Sequence, residues 1–160
     1  MGLDIYFYKF KKADWKKASE LKEAIANEPD DEKANKMIDE ANEMLPDIQT
    51  EIGYFRKVNF LMAFFNYEGN CEYKEITRKQ LRELKDKCFA VYTLKPGDGV
   101  MTDEIIKKCS ETLPTQAGFF FGNTNYDEWY FQEVKEVLEW VSGVLEDLKR
   151  TEVVLMYCWW

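Results

Sequence analysis

Two strand-like segments, one at each end of the chain, restrict the fold more than any other feature. Residues 3–10 read LDIYFYKF and residues 153–160 read VVLMYCWW. Both are rich in β-branched and aromatic residues, which favour strands, and neither contains glycine or proline. The chain between them is dominated by apolar residues at helical spacing. This order predicts an α+β fold in which a small, mainly antiparallel sheet, formed by the N- and C-terminal strands, is covered by several helices.

Capping residues and apolar spacing predict the elements in between. Asp14 is expected to cap a helix that reaches residue 27, and a second helix follows Pro29 and ends at Pro46. A third helix is predicted over residues 50–65 from its i, i+3, i+4 spacing. The remaining predictions are a strand at residues 71–76, helices capped by Thr77 and Thr102, a strand or tight loop at residues 117–122 and a last helix at residues 127–149.

The chain is expected to form one domain. Its 160 residues match the usual size of a domain and contain no repeat, linker or low-complexity tract. No apolar run approaches the ~18 residues that span a bilayer, and Asp4 interrupts the region where a signal peptide would be hydrophobic. These features predict a cytoplasmic protein without a membrane segment.

The absence of histidine excludes several kinds of active site. Ser-His-Asp and Cys-His nucleophile pairs, the two-histidine metalloprotease motif and imidazole metal ligands all require it. The four cysteines contain no C-x-x-C pair, so a zinc ribbon or a dithiol redox site is disfavoured. We expect reduced, buried thiols, no bound metal and no cofactor. The cysteines are Cys71, Cys88, Cys109 and Cys158.

The net charge of −8 is concentrated in one segment. Residues 18–51 contain eleven acidic residues and three lysines. Such a field repels nucleic-acid phosphates, so direct binding of DNA or RNA is disfavoured. Two interpretations remain open, a solvated helical face or an acidic surface that docks on a basic partner.

The segment at residues 113–130, LPTQAGFFFGNTNYDEWY, is the richest candidate for a site. Its glycines allow close approach of the backbone, and its polar and aromatic side chains are those of a pocket wall. A well-packed loop would have the same composition, so this alternative stays open. The candidate binding residues in the segment are Thr115, Asn123, Tyr126, Asp127 and Trp129.

Arg56 and Asn59 complete the candidate site. They are three residues apart in the predicted third helix and would therefore share a helical face. We expect this face to meet residues 123–129, with Arg56 binding either Asp127 or an anionic group of a ligand. No catalytic residue can be assigned.

Three motifs resemble an uncharacterised family found in phage and prophage genomes. They are MGLDIY at residues 1–6, YFRKVN at residues 54–59, which is similar to the family's YWRKAN, and LPT, GFFFG and YD within residues 113–130. Asn70-Cys71, Tyr73 and the aromatic tail are weaker matches. Family members often carry a histidine soon after the motif's asparagine, whereas residues 60–65 contain none.

The resemblance implies a small phage or prophage accessory protein that acts in the cytoplasm of a host cell. With no nucleophile motif present, we expect a non-enzymatic binding protein, either an inhibitor of a host protein or a protein that sequesters a small anionic ligand. The alternative is an enzyme that uses Arg, Asp and Tyr on a phosphorylated or nucleotide-like substrate. A structural or virion-associated module is the third hypothesis.

Overall fold

The computed structural model describes residues 2–160 and confirms the α+β fold. Within these residues, no helix is both long and apolar enough to cross a membrane. The elements in chain order are β1 (Asp4–Lys11), α1 (Lys12–Asn27), α2 (Asp31–Ile48), β2 (Gln49–Arg56), α3 (Phe60–Phe65), β3 (Glu72–Ile76), α4 (Arg78–Tyr92), α5 (Asp103–Thr112), α6 (Glu128–Asp147) and β4 (Glu152–Trp159).

The four strands form one antiparallel sheet in the order β2-β1-β4-β3. The N- and C-terminal strands are its central pair, in register from Asp4 opposite Trp159 to Lys11 opposite Glu152. Because side chains alternate between the two faces of a strand, β1 directs Ile5 and Phe7 to one face of the sheet. We call this the core face.

Helices α3, α4 and α6 cover the core face. Phe7 packs against Phe65 of α3 and against Trp140 of α6, with ring centroids 5.9 and 4.3 Å apart. The inner stripe of α4 is fully buried at Leu81, Leu84, Cys88 and Val91. Helix α5 packs against α4 and contributes Cys109 to the core.

The opposite face of the sheet is covered over only part of its length. The α1–α2 hairpin lies over Phe10, Val153 and Leu155 and contributes Trp15 and Leu45 to this second cluster. Towards the other end of the strands, Tyr54 and Trp159 are 45% and 41% exposed. We call this uncovered region the open face.

Local capping signals are confirmed in detail. Thr77 and Gln80 form a reciprocal capping box at the start of α4. Thr102 accepts a hydrogen bond from Ile105 N at the start of α5, and Asp127 accepts one from Tyr130 N at the start of α6. These bonds satisfy N–H groups of the first turn that have no partner within the helix.

The predicted helix over residues 50–65 is wrong in its first half. Residues Gln49–Arg56 form β2, which pairs along the free edge of β1, and only Phe60–Phe65 is helical. As a strand, this segment supplies hydrogen-bond partners for the N–H and C=O groups along the edge of β1. The spacing of apolar residues within the segment cannot predict this pairing, because the partner strand is distant in sequence. Lys57, with φ of 61°, turns the chain between the two elements.

Three smaller expectations also need correction. Helix α1 begins at Lys12, so Asp14 lies in its first turn and does not cap it. Pro46 lies inside α2, which continues to Ile48. Cys71 is exposed, whereas the other three cysteines are buried. Of the two alternatives for residues 117–122, a strand or a tight loop, the structure has the loop.

Candidate functional site

The three sequence motifs meet at one end of the sheet. Leu3 N donates to Phe120 O at 3.0 Å, and Lys57 N donates to Leu3 O at 2.8 Å. Residues from the beginning, the middle and the last third of the chain are therefore joined by backbone hydrogen bonds. This convergence positions the turn at residues 117–122 against the end of β2.

Asn59 is the side chain that holds this junction together. It is 2% exposed and lies directly before α3. Its Nδ2 donates to Phe121 O at 3.1 Å and to Asn123 O at 2.8 Å, while its Oδ1 accepts from Gln116 N at 3.2 Å. The predicted contact between Asn59 and the segment at residues 113–130 is thus present, although not through a shared helical face with Arg56.

Two positions of the turn, Gly118 and Gly122, require glycine, the first because its backbone lies close to the ring of Phe121 and the second because of its backbone conformation. A Cβ on Gly118 would lie 2.6 Å from Cγ of Phe121, which is shorter than any ordinary carbon contact. Gly122 has φ of 87°, a conformation that side chains disfavour. Phe121 in turn packs edge-on against Trp160.

Tyr126 and Thr115 tie the two ends of the segment together. Thr115 N donates to the Tyr126 hydroxyl at 3.1 Å, and Thr115 Oγ1 donates to Thr124 O at 3.0 Å. Tyr130 anchors the same region from α6, because its hydroxyl donates to Leu113 O at 2.7 Å. The role of Thr115 and Tyr126 here is to position the wall of the site.

Above this support lies a pocket of about 250 Å³. Thr115, Asn123, Asp127 and Trp129 line it, as the sequence predicts. Two lining side chains outside residues 113–130 escaped prediction, Lys57 and Glu133. Trp129 and Glu133 are four residues apart on α6, so helical spacing from Trp129 could have indicated Glu133. Lys57 depends on the turn after β2, for which the sequence carries no clear signal.

Glu133 is the titratable group that stands out in the pocket. Burial, followed by the nearby negative charges of Asp127 and Glu136, raises the pKa of Glu133 from its ordinary 4.5 to about 7. This carboxyl group therefore exchanges its proton near neutral pH and can either donate or accept a hydrogen bond.

Asp127 is already engaged by the protein. Its Oδ1 accepts from Tyr130 N at 3.1 Å, and its Oδ2 accepts from Asn123 Nδ2 at 3.3 Å. Trp129 is 75% exposed, which leaves a flat indole surface at the rim. The lining of the pocket thus includes one lysine, one titrating carboxyl group and one stacking surface.

Arg56 is not among the side chains that line the pocket. It is the last residue of β2, its Nη1 lies 3.9 Å from Oδ1 of Asp4, and its side chain is 56% exposed. The Tyr54 hydroxyl donates to the same Asp4 oxygen at 2.5 Å. The predicted pairing with Asp127 is wrong, because Arg56 belongs to an Arg-Asp-Tyr group beside the open face.

Within residues 2–160, no group of three or more histidine, cysteine or carboxylate side chains is placed to hold a metal ion. No protein-family model matches the chain, and neither the curated proteins nor the solved structures contain a significant match. The functional argument therefore rests on the geometry of the site.

Proposed function

We propose that the protein is a non-enzymatic binding protein of a phage or prophage, which acts in the host cytoplasm and holds a small polar ligand in the pocket between Lys57, Trp129 and Glu133. The observation that carries this proposal is the preformed wall of that pocket. Asn59 and Tyr126 hold the wall in place through hydrogen bonds, so little ordering is required when a ligand binds. The phage origin is supported by the sequence resemblance.

The lining side chains define the chemistry of the ligand. Trp129 offers a surface for a flat ring, Lys57 a donor for an acceptor group, and Glu133 a partner for an amine or hydroxyl. The lining contains one cation, Lys57, and two carboxylates, Asp127 and Glu133. A neutral or zwitterionic molecule fits this balance better than the anionic ligand expected from Arg56.

The size of the pocket limits its occupant. Its volume of about 250 Å³ lies just below the roughly 300–1,000 Å³ of pockets that take drug-sized ligands. The pocket therefore suits a metabolite-sized molecule. Most of its lining residues are polar, whereas a groove that takes the apolar face of a protein helix is hydrophobic, so inhibition of a host protein would use a different surface.

Native mass spectrometry of protein taken directly from cells tests the proposal. We expect a bound small molecule on the wild-type protein and its loss in Trp129→Ala, with an unchanged melting temperature because the side chain is 75% exposed. Trp159→Ala, which removes a 41% exposed tryptophan on the open face, is the matched control and should keep the ligand. Equal occupancy in both variants, or no adduct on the wild-type protein, would refute the proposal.

The second candidate is an enzyme, favoured by the neutral-range pKa of Glu133. A carboxyl group that titrates near the working pH suits general acid–base catalysis. The predicted Arg, Asp and Tyr set does not support this role at the pocket, because Arg56 is paired with Asp4. Chemical turnover of the co-purified molecule, abolished in Glu133→Gln while binding persists, would favour the enzyme over the binding protein. A structural or virion-associated role remains the third hypothesis.

A further inference from the structure

Helices α1 and α2 form a hairpin whose apolar residues are incompletely covered. Neither helix contains a fully buried residue, although they are 16 and 18 residues long. The hairpin reaches the sheet through Trp15, Leu45 and Ile48. An amphipathic helix is stabilised mainly by burying its apolar stripe, and here much of the stripe remains accessible.

The uncovered stripes of the two helices and Tyr73 of β3 enclose a groove of about 260 Å³. Nine of its eleven lining residues are apolar or aromatic, among them Leu21, Ile25 and Met44. Ile38 lies at its opening and is 40% exposed. Such a continuous apolar surface is typical of an interaction site.

The same hairpin carries most of the chain's uncompensated acidic charge. Residues 12–48, from the first residue of α1 to the last residue of α2, contain eleven acidic residues and six lysines. Their ion pairing, as far as residues 2–160 show it, is limited to Glu20 with Lys16 at 3.9 Å. The negative charge around the groove is therefore only partly neutralised by the protein itself.

The other long helices have a different pattern of charge. Glu83 with Lys87 on α4, Glu104 with Lys108 on α5 and Glu139 with Lys135 on α6 form pairs four residues apart. Outside residues 12–48, the chain contains nineteen acidic and sixteen basic residues. Most of the uncompensated charge thus coincides with the uncovered apolar groove.

We propose that the groove between α1 and α2 binds a basic amphipathic helix of a partner protein. Apolar side chains at i, i+3 or i+4 and i+7 of that helix would fill the groove, and its lysine and arginine residues would face the acidic flanks. The α1 wall from Trp15 to Ile25 spans roughly 15 Å, the length of about three helical turns. This site is separate from the pocket at Glu133 and does not depend on its function.

Two synthetic peptides of equal length and identical apolar pattern test the proposal by fluorescence anisotropy with the full chain. One carries lysine and arginine at its polar positions and the other carries glutamate. We expect the basic peptide to bind at least about tenfold more tightly and its association rate to fall as salt rises, because exposed charges steer encounter. Equal affinity for both peptides, or no binding of the basic peptide, would overturn the proposal.

Ile38→Ser identifies the surface that the peptide uses. We expect a loss of affinity of about tenfold or more with little change in melting temperature, since the side chain is already 40% exposed. The matched control is Phe89→Ser on α4, where the phenylalanine is 61% exposed, and it should bind as the wild type does. Unchanged binding in Ile38→Ser, or an equal loss in both variants, contradicts the assignment. A concentration-dependent dimer that Ile38→Ser dissociates would show instead that a second copy fills the groove.

Discussion

Asn59 shows how a single buried side chain can determine a local structure. All three of its hydrogen bonds go to backbone groups of residues 116–123, which are far away in sequence and belong to no helix or strand. Buried backbone groups without a partner are costly, so this irregular segment depends on the asparagine for its conformation. An amide is required, because the site needs donors and an acceptor on one side chain.

Asn59→Ala is therefore expected to destabilise the protein by about 2–4 kcal/mol, since it leaves backbone groups of the turn unsatisfied in the interior. Urea unfolding followed by circular dichroism measures the effect. Asn125→Ala, at an exposed asparagine of the same segment, should stay within about 0.5 kcal/mol of the wild type. A similar, small effect of both substitutions would mean that the turn does not depend on Asn59.

At the scale of elements, one side chain of α6, Trp140, connects β2 to the helical layer. Gly53 pairs with Phe7, and the register between β1 and β2 shifts at the next position, where Tyr8 pairs with Glu51. The shift leaves Ile52 without a partner on β1, and its carbonyl accepts a hydrogen bond from Trp140 Nε1 at 2.6 Å. A bulge in an edge strand thus becomes the attachment point of the longest helix.

Gly53→Ala tests this attachment. The added Cβ would lie 2.4 Å from Trp140 Nε1, and the indole cannot move away easily because it packs on Phe7 and Phe55. We expect a loss of about 2 kcal/mol or more in the free energy of unfolding. Gly143→Ala is the matched control: it lies on α6 with no atom within 4 Å of its Cβ position, so it should stabilise the protein by roughly 0.5–1 kcal/mol through helix propensity. A neutral Gly53→Ala variant would show that Trp140 can be displaced at little cost.

At the scale of the whole molecule, the two faces of the sheet differ in chemistry. The core face is aliphatic and phenylalanine-rich, whereas four tyrosines stand in one row across the opposite face, from β2 to β3. The tyrosines in the row are Tyr54, Tyr6, Tyr157 and Tyr73.

Several tyrosines of the protein have raised pKa values. Burial raises the pKa of Tyr8 and of Tyr157 to about 12, and it also raises the pKa values of Tyr67, Tyr73 and Tyr130.

These shifts predict unfolding in alkali. The folded protein retains phenolic protons that the unfolded chain releases near pH 10, so the tyrosines contribute stability below about pH 10 that is lost as the pH rises towards 12. Phenolate absorbance and circular dichroism should therefore change together between these values. The chain unfolded in guanidinium chloride, as a control, should titrate near pH 10. Full ionisation near pH 10 with native circular dichroism would contradict the prediction.

Part of the candidate site could be predicted from sequence and part could not. Asn123, Asp127 and Trp129 line the pocket as expected, because the composition of one continuous segment already indicates a wall. Asn59 contacts that segment as expected, but Lys57 and Glu133 were missed and Arg56 was misplaced. The errors involve residues whose neighbours are distant along the chain.

The sequence by itself determined the strands at both ends, the α+β class and the starts of α4, α5 and α6. Each of these depends on residues close together in the chain, such as Thr77 with Gln80, three positions apart, or on the composition of a short run. Only the tertiary structure decided that residues 49–56 form a strand and that Arg56 faces Asp4. The Tyr54–Asp4 hydrogen bond spans 50 positions, and pairing of this kind depends on which edge of β1 remains free once β4 has bound the other. Whether a segment forms a strand depends on the neighbouring strand with which it pairs, and the local sequence pattern does not reveal that neighbour.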